Sequence, residues 1–238
     1  MSEANYCYLC VFAVKKKAMK HFGITDSKIE GYMASLTPPS EGALADMEAH
    51  AEREGVPIIG PVQGRFLYTL ALALKVKDVL DVGTAIGYSA MWLGLAARQR
   101  EGRVVTIEKD AGRAAWAEAY FRQADMAGVC AVRRGDALTL MRGMEEQFDL
   151  IFLDVLTQFD RADTALQLLD LCVKRLRPGG VLLSDNALRS GQVLDPSAYS
   201  ASTQGIAAFN AAIMEHPKLT SSIIPMRDGI SMSVKGNT

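Results

Sequence analysis

Residues 78–90, DVLDVGTAIGYSA, decide the fold, because an apolar run is followed there by a glycine turn and the start of a helix. The run predicts a β-strand at about 78–83 and a helix at about 87–99. The same succession continues, and further strands are predicted at 102–108, 130–136, 148–154 and 179–185. Strands that alternate with helices pair in parallel through right-handed crossovers, so helices cover both faces of the sheet. Two more runs, at 221–225 and 230–234, predict an antiparallel hairpin. The expected fold is therefore α/β and doubly wound, with a mostly parallel seven-stranded sheet.

The first quarter of the chain has a different pattern. Three helices are predicted there, at residues 27–36, 40–55 and 61–77. Ser40 is expected to cap the second of them and Gly55 to end it. Trp92 and Trp116 lie in apolar helical patterns and are expected in the core. Residues 1–18 fit poorly with the remainder of the chain, so we expect a loosely attached extension at 1–18 and a single domain at 19–238.

The composition excludes several function classes. The chain has 238 residues, 49% of them hydrophobic, with 26 basic and 27 acidic side chains and a formal net charge of −1. Such a chain has no overall positive field for nucleic acid or an anionic membrane, and no apolar stretch approaches the roughly 20 residues of a membrane span. Near the N-terminus an apolar run precedes the lysines, the reverse of a secretory signal. We therefore expect a cytoplasmic protein whose four cysteines are reduced.

Polar side chains interrupt the apolar runs where each predicted strand ends. They are Asp81, Glu108, Asp136, Asp154 and the pair Asp185 and Asn186. A single carboxylate in such a place is often only a helix cap. Five successive strands that end in this way indicate one shared rim, because ligands of open α/β sheets bind beyond the carboxyl ends of the strands.

The glycine turn does not match a dinucleotide site. Gly83 and Gly87 give G-x-x-x-G instead of G-x-G-x-x-G, and Asp81 stands close to where a pyrophosphate would lie. A carboxylate there suits a cation, such as the amino group of an amino-acid-like ligand. Glu108 ends the next strand, where a carboxylate can bind the two hydroxyls of a ribose. Adenosine with an ammonium group and no phosphates describes S-adenosylmethionine better than NAD.

The ordered motifs resemble a known family, the class I S-adenosylmethionine-dependent methyltransferases, and within it the catechol and caffeoyl-CoA O-methyltransferase group. The motifs are VPIIGPVQGRFL, LDVGTAIGYSA, VVTIEKD, GDAL, FDLIFLD, LRPGGVLLSDN and DGISMSVK. The resemblance runs from about Ser27 to Lys235 and implies the Rossmann-like fold of class I methyltransferases.

The resemblance also assigns ligands to residues. The implied cofactor-binding residues are Asp81 for the methionine amino group, Gly83, Thr84 and Ser89 near its carboxylate end, Glu108 for the ribose, Asp136 and Ala137 beside the adenine, and Asp154. The implied ligands of a divalent metal are Asp154, Asp185 and Asn186. Hard oxygen ligands of this kind suit Mg²⁺ first, and also Ca²⁺ or Mn²⁺.

The sequence departs from the family after the fourth strand. The family pattern there is D-A-D-K, in which the lysine is the presumed proton acceptor, whereas this chain has Asp154, Val155, Leu156 and Thr157. The next lysine is Lys174, and Asp160 stands near the place of a usual tyrosine. The catalytic base is therefore unassigned. The metal alone could suffice, a base could come from elsewhere in the chain, or methyl transfer could be lost or altered. A further alternative is that Thr157 is a helix cap while Val155 and Leu156 extend the core.

The resemblance implies an S-adenosylmethionine-dependent O-methyltransferase, assisted by a divalent metal, that acts on a small aromatic diol. Two alternatives stay open: modification of a hydroxylated uridine in tRNA, and an S-adenosylmethionine-binding protein with altered catalysis. A small hydroxylated acceptor and a homodimer are the expected partners, and nucleic acid is the less favoured one. The arginines at 98, 100, 103, 133 and 134 are expected at a solvated rim.

Overall fold

The computed structural model describes residues 24–159 and 161–237, which form eight α-helices and seven β-strands. The helices are α1 (Ser27–Leu36), α2 (Ala43–Glu54), α3 (Gly60–Leu74), α4 (Tyr88–Arg98), α5 (Ala111–Gln123), α6 (Ala137–Gly143), α7 (Ala162–Arg175) and α8 (Ala201–Glu215). The strands are β1 (Asp78–Val82), β2 (Arg103–Glu108), β3 (Cys130–Arg134), β4 (Phe148–Leu153), β5 (Leu176–Ser184), β6 (Leu219–Ile224) and β7 (Ile230–Lys235).

The strands form one sheet in the order β3-β2-β1-β4-β5-β7-β6. The first five are parallel, and β7 runs antiparallel to both β5 and β6. The predicted doubly wound α/β fold, with its mostly parallel seven-stranded sheet and C-terminal hairpin, is confirmed. The chain proceeds from β1 to one side of the sheet and from β4 to the other, so the switch point lies between β1 and β4, where an open sheet leaves a crevice for a ligand.

Alternating residues of the strands fill two separate cores. In β4, Leu150 and Phe152 pack into the core under α2 to α5, while Ile151 and Leu153 pack into the core under α6 to α8. Side chains of a strand point to opposite faces in turn, so a strand buried on both faces is an apolar run without polar alternation. The carboxyl ends of these strands are therefore held between two packed layers.

Two local expectations are wrong. Ser40 does not cap α2; the N-cap is Gly42, and the Ser40 hydroxyl instead donates to Glu48 Oε1 at 2.5 Å. Trp116 is 51% exposed, because it lies on an outer face of α5, whereas Trp92 is buried as expected. Gly55 does end α2, in the left-handed conformation. The expected extension at 1–18 lies outside the described residues, and no helix within them is long and apolar enough to cross a membrane.

Candidate active site

The backbone ladder aligns the ends of the three central strands. Beyond the strands, the Asp154 N–H donates to Val82 O at 2.8 Å and the Asp185 N–H donates to Leu153 O at 2.9 Å. The residues that come directly after β1, β4 and β5 are thus stacked side by side along one edge of the sheet. The shared rim that the sequence predicts is therefore present at these ends.

The turn after β1 requires a glycine. Gly83 has φ +106, and a Cβ built on it would lie 2.6 Å from Asp154 O and 2.9 Å from Val155 Cγ1. A residue with a side chain would be strained in this backbone conformation and would also collide with the neighbouring strand end. The turn therefore lies directly against the backbone of Asp154.

A cavity of about 200 Å³ opens at this rim. Its lining brings together five of the predicted site residues, Gly83, Glu108, Asp154, Asp185 and Asn186. A smaller cavity of about 40 Å³ adjoins it and shares Gly83 and Glu108. The predicted residues Asp136 and Ala137 line this second cavity.

Two parts of the rim differ in how their polar groups are held. We call the residues at the ends of β1 to β3 the β1–β3 rim; they are Asp81, Gly83, Glu108, Asp136 and Ala137. We call the residues after β4 and β5 and in the β6–β7 turn the β4–β7 rim; they are Asp154, Thr157, Asp185, Asn186, Arg189, Arg227 and Asp228.

Glu108 faces both cavities and is fixed by backbone groups. Its Oε2 accepts from the Ala85 N–H at 2.8 Å and its Oε1 from the Asp110 N–H at 2.9 Å. Each oxygen retains acceptor capacity towards the cavities, because a carboxylate oxygen has two lone pairs. A diol such as that of a ribose can donate to a carboxylate held in this way.

Asp81 is the most deeply buried residue of the β1–β3 rim and does not line either cavity. Its side chain is fully buried, accepts from Ser89 Oγ at 2.9 Å and from Thr106 Oγ1 at 2.5 Å, and so uses both oxygens inside the fold. Burial raises the pKa of Asp81 to about 7, against the effect of these two hydrogen bonds. Thr84 is also buried, with its hydroxyl on Thr106. A cofactor role for Asp81, Thr84 and Ser89 stays a prediction, and the structure places them as support for the glycine turn.

Asp136 is a helix cap as well as a cavity residue. It is the N-cap of α6, and its Oδ1 accepts from Thr139 N at 2.9 Å and from Thr139 Oγ1 at 2.8 Å. The two bonds hold the pKa of Asp136 below its usual range. Its second oxygen leaves a polar edge beside Ala137, which a purine ring could contact.

The predicted metal ligands lie together in the β4–β7 rim. Burial is the main cause that raises the pKa of Asp154 well above its usual value, and the carboxylates of Asp185 and Asp81 add to it. Burial likewise raises the pKa of Asp185. Two buried carboxylates that disfavour each other's charge are stabilised by a bound cation.

Asn186 completes this ligand set. Its Nδ2 donates to Asp228 Oδ2 at 3.4 Å, which leaves the amide oxygen available as a third ligand. Its backbone N–H donates to Asp185 Oδ1 at 2.8 Å. Among the described residues no group of three or more His, Cys, Asp or Glu side chains is placed to hold a metal. A metal at this rim would therefore depend on the amide oxygen and on ligand oxygens in addition to the two carboxylates.

Thr157 lines the large cavity but does not cap a helix. It lies in a short 3-10 helix, Leu156–Gln158, and the N-cap of α7 is Arg161, which makes no side-chain capping bond. The expectation that Val155 and Leu156 extend the core is confirmed, since both are buried. No lysine, histidine or tyrosine is found among the described residues that line the cavity. Lys174 is exposed on α7.

Several cavity residues were not predicted as site residues, among them Gln63, Arg189 and Arg227. Gln63 is fully buried in the first turn of α3. Its amide faces Asp185 closely enough to lower the pKa of that carboxyl, but neither amide atom is within hydrogen-bond distance of a described partner. These residues come from α3, the loop after β5 and the β6–β7 turn. The segments VPIIGPVQGRFL and MRDG contain two of them, but neither has a spacing that identifies a site.

Known proteins are similar to this chain over most of its length. A family model described as O-methyltransferase matches residues 42–236. The chain is 34% identical over 218 residues to catechol O-methyltransferase domain-containing protein 1 of Mus musculus. This match covers 88% of the present chain and 80% of the mouse protein. It is 28% identical over 217 residues to the catechol O-methyltransferase of Niastella koreensis, with 87% and 96% covered.

Solved structures show the same similarity. The O-methyltransferase from Bacillus cereus, in complex with SAH, is 27% identical with a TM-score of 0.76, covering 87% of this chain and 97% of that one. The O-methyltransferase TomG from Streptomyces achromogenes, in complex with SAM, is 26% identical with a TM-score of 0.78, covering 88% and 96%.

Proposed function

Since this chain belongs to the O-methyltransferase family, we propose that it transfers a methyl group from S-adenosylmethionine to a hydroxyl of a small aromatic diol, with a divalent metal beside the acceptor. Membership of the family makes the chain an S-adenosylmethionine-dependent O-methyltransferase. The proposal of a diol acceptor and a metal rests on one observation. A single cavity is lined both by Glu108, a carboxylate suited to a ribose, and by the carboxylate pair Asp154 and Asp185.

The cofactor would lie along the β1–β3 rim. Glu108 is fixed for the ribose hydroxyls, and the small cavity beside Asp136 and Ala137 suits the adenine. Gly83 lines both cavities, so the methionine part would lie against the turn after β1. The proposal is supported by two structural relatives whose crystals hold SAH or SAM.

The acceptor would lie along the β4–β7 rim. Asp154, Asp185 and the amide oxygen of Asn186 are the residues that would hold a divalent metal. A metal held there would lower the pKa of an acceptor hydroxyl and fix its direction towards the methyl group. Ile58 and Ile59 also line the cavity, where they would present an apolar surface to an aromatic ring.

Thr157 limits how the proton can leave the acceptor. A threonine hydroxyl does not accept a proton at neutral pH, and a general base usually contributes about 10²–10⁴-fold. We therefore propose that this chain relies on an acceptor whose hydroxyl ionises easily, so that solvent can take the proton. The same observation supports a second candidate, an S-adenosylmethionine-binding protein with altered catalysis.

Calorimetric titration tests the proposal and separates it from the second candidate. S-adenosylmethionine and catechol are each titrated with Mg²⁺ and with chelator. Catechol that binds only when both metal and cofactor are present supports the proposal. Cofactor binding without any binding of metal or catechol would favour the second candidate and would remove the diol.

A tRNA acceptor has little support in the structure. Arg103, Arg133 and Arg134 each form an ion pair, with Asp78, Glu146 and Glu118 respectively, so their charges are locally compensated. Affinity for nucleic acid depends on lysine and arginine side chains that neutralise phosphates. Absence of methyl transfer to total tRNA under Mg²⁺ would remove this alternative.

A homodimer and a cytoplasmic location are further proposals. Helix α1 buries none of its residues and exposes Ile29, Tyr32 and Leu36, an apolar face that a second copy could cover. Light scattering of the purified protein tests the dimer. Cys130 and Cys172 are buried free thiols, as suits a reducing compartment.

A further inference from the structure

One polar side chain of the cavity wall is enclosed by the protein. Gln63 lies in the first turn of α3, its side chain is fully buried, and it lines the large cavity together with Asp154 and Asp185. At the next residue α3 lies directly against α4, because a Cβ built on Gly64 would be 2.2 Å from Trp92 Nε1. The packing of α3 on α4 therefore fixes the backbone that carries Gln63.

The amide of Gln63 has no hydrogen-bond partner within the described part of the chain. Both Oε1 and Nε2 are buried, and neither is within hydrogen-bond distance of a described residue. Buried amide groups are normally paired, and an unpaired one lowers the stability of the folded protein. A glutamine in this place is explained if a ligand in the cavity completes its hydrogen bonds.

The orientation of the amide follows from its neighbour. Gln63 faces Asp185 and acts on its carboxylate without reaching hydrogen-bond distance. The group that an amide presents to a carboxylate is its N–H₂, because both oxygens of the carboxylate are acceptors. With Nε2 towards Asp185, Oε1 of Gln63 is the acceptor that remains for a ligand.

A neutral acceptor suits the charges at this end of the cavity. The charge of Arg227 acts on both Asp154 and Asp185 and balances part of their negative charge. Arg227 also donates from Nη1 to Ile58 O at 3.4 Å. An amide oxygen adds a hydrogen-bond acceptor to this wall without adding a charge. Gln63 can therefore bind a donor beside the carboxylate pair without repelling the pair.

The donor that fits Oε1 follows from the proposed metal. Asp154, Asp185 and Asn186 would supply three oxygens and a diol two, which leaves one position of an octahedral shell for water. A divalent cation polarises the water bound to it and makes that water a strong hydrogen-bond donor. Such a water needs an acceptor in the wall of the cavity, and Oε1 of Gln63 is one.

We propose that Gln63 is a positioning residue for the metal, which donates to Asp185 through Nε2 and accepts from a water ligand of the metal through Oε1. The inference rests on the proposed function, because it concerns the metal of the same site. Gln63 thereby links the start of α3 to the end of β5 when the metal is bound. Loss of a partner of this kind usually weakens metal binding by about 10- to 100-fold.

Titration with Mg²⁺ tests this role in two variants that should behave differently. The proteins are saturated with S-adenosylhomocysteine, and binding of Mg²⁺ is measured by calorimetry. Gln63→Met keeps the length of the side chain without the amide, and its affinity for Mg²⁺ should fall by about 10- to 100-fold. Gln63→Glu keeps an oxygen in the place of Oε1 and adds a charge, so it should bind Mg²⁺ at least as tightly as the wild-type protein.

Urea unfolding with chelator present separates this role from a role in the fold alone. Gln63→Met removes two buried polar atoms that have no partner among the described residues, so the midpoint of unfolding should rise. If Gln63 only packed α3 into place, the midpoint would fall. Gln158→Met is the matched control, because it makes the same change at an exposed glutamine of the same cavity lining, and it should keep the wild-type affinity for Mg²⁺.

Unchanged affinity for Mg²⁺ in Gln63→Met overturns the inference, and so does an equal loss in Gln63→Glu or in Gln158→Met. A loss of affinity that comes with a lower midpoint of unfolding overturns it as well, since Gln63 would then act through the fold. A wild-type protein that binds no Mg²⁺ also overturns it, and methyl transfer to catechol in chelator then decides whether the reaction stands without the metal.

The two proposals can fail separately. Metal-dependent methyl transfer to catechol, with unchanged affinity for Mg²⁺ in Gln63→Met, leaves the proposed function standing while the role of Gln63 fails. The expected changes in affinity for Mg²⁺, without transfer to any diol, support the role of Gln63 while the proposed function fails.

Discussion

The β1–β3 rim and the β4–β7 rim differ in how far the chain itself supplies hydrogen bonds to their carboxylates. In the β1–β3 rim, each carboxylate is satisfied by the chain itself: Asp81 by two hydroxyls, Glu108 by two backbone N–H groups and Asp136 by Thr139. In the β4–β7 rim, Asp185 accepts from the Asn186 N–H, but the carboxylate of Asp154 accepts no hydrogen bond from the described residues, and burial and neighbouring charge raise its pKa. The Gln63 amide and the Nε of Arg189, which face the same rim, are buried without partners among the described residues.

The difference shows which part of the site is complete before a ligand binds. Groups that are already hydrogen-bonded are preorganised and contribute to stability in the empty protein. Buried polar groups without partners lower the stability of the empty protein. The protein regains this stability when a cation and an acceptor bind to those groups. The β1–β3 rim should therefore respond to substitution mainly through stability and cofactor affinity, and the β4–β7 rim mainly through activity.

The largest effect is expected from Gly83→Ala, which should remove cofactor binding and lower the free energy of unfolding by about 3 kcal/mol. The added Cβ would collide with Asp154 O in a backbone conformation that alanine disfavours. Gly191→Ala is the control, since Gly191 also has a positive φ, of +80°, but nothing lies within 4 Å of its Cβ. It should lower the free energy of unfolding by only about 1 kcal/mol and keep cofactor binding. Equal losses in the two variants, measured by urea unfolding, would contradict the close packing at Gly83.

Asp185→Asn should separate activity from stability in the β4–β7 rim. The amide keeps the shape of the carboxyl but removes one of two buried charges that disfavour each other. We expect kcat/KM for catechol to fall by about 100-fold or more, while the free energy of unfolding at pH 7 rises by about 1 kcal/mol. Activity is measured by methyl transfer at saturating Mg²⁺, and stability by urea unfolding with chelator present. A variant that loses stability and activity together would show that the carboxylate is a structural part of the empty protein.

The same contrast explains what the sequence could predict. Strands with buried residues on both faces are continuous apolar runs, so the sheet and the carboxylates at its strand ends can be inferred from the order of residues in each run. The alternation alone could not show that Asp81 faces inward, because the hydroxyls of Ser89 and Thr106 that hold it belong to other elements. Gln63 and Arg227 reach the cavity only through packing between segments that are far apart in the sequence. The bond from Arg227 to Ile58, for example, joins residues 169 positions apart. No local pattern encodes such contacts.

Asp81 gives the β1–β3 rim a dependence of stability on pH. Its pKa of about 7 in the folded protein lies above the usual value of about 3.9 for an unfolded chain. At a pH between these two pKa values, Asp81 keeps its proton in the folded state but not in the unfolded state. The free energy of unfolding therefore falls as pH rises from about 4 to about 7. The size of the pKa shift limits this loss of stability to about 4 kcal/mol at most.

Asp81→Asn should flatten this slope. We expect the variant to be more stable than the wild-type protein by about 2 kcal/mol at pH 8, because it has no buried charge at this position. The gain is smaller than the upper limit because the amide forms weaker hydrogen bonds with Ser89 and Thr106 than the carboxylate does. At pH 4 the variant should have no such advantage. Urea unfolding at pH 4, 6 and 8 measures the difference, and parallel curves for the two proteins would show that Asp81 is not the source of the slope.

The smallest effect is expected at Asp136, where one carboxylate has both a capping role and a place in the cavity. Asp136→Ala removes the cap from the seven-residue helix α6 and should lower the free energy of unfolding by about 1 kcal/mol. Asp136→Asn keeps an oxygen that can accept from Thr139 N and should retain most of that stability. Cofactor affinity then separates the two roles. If the carboxylate only caps α6, affinity changes in step with stability, and the Asn variant binds S-adenosylmethionine as the wild-type protein does. If its second oxygen accepts a hydrogen bond from the adenine, the Asn variant binds severalfold more weakly although it is stably folded, which would show that the β1–β3 rim also leaves one group for a ligand to complete.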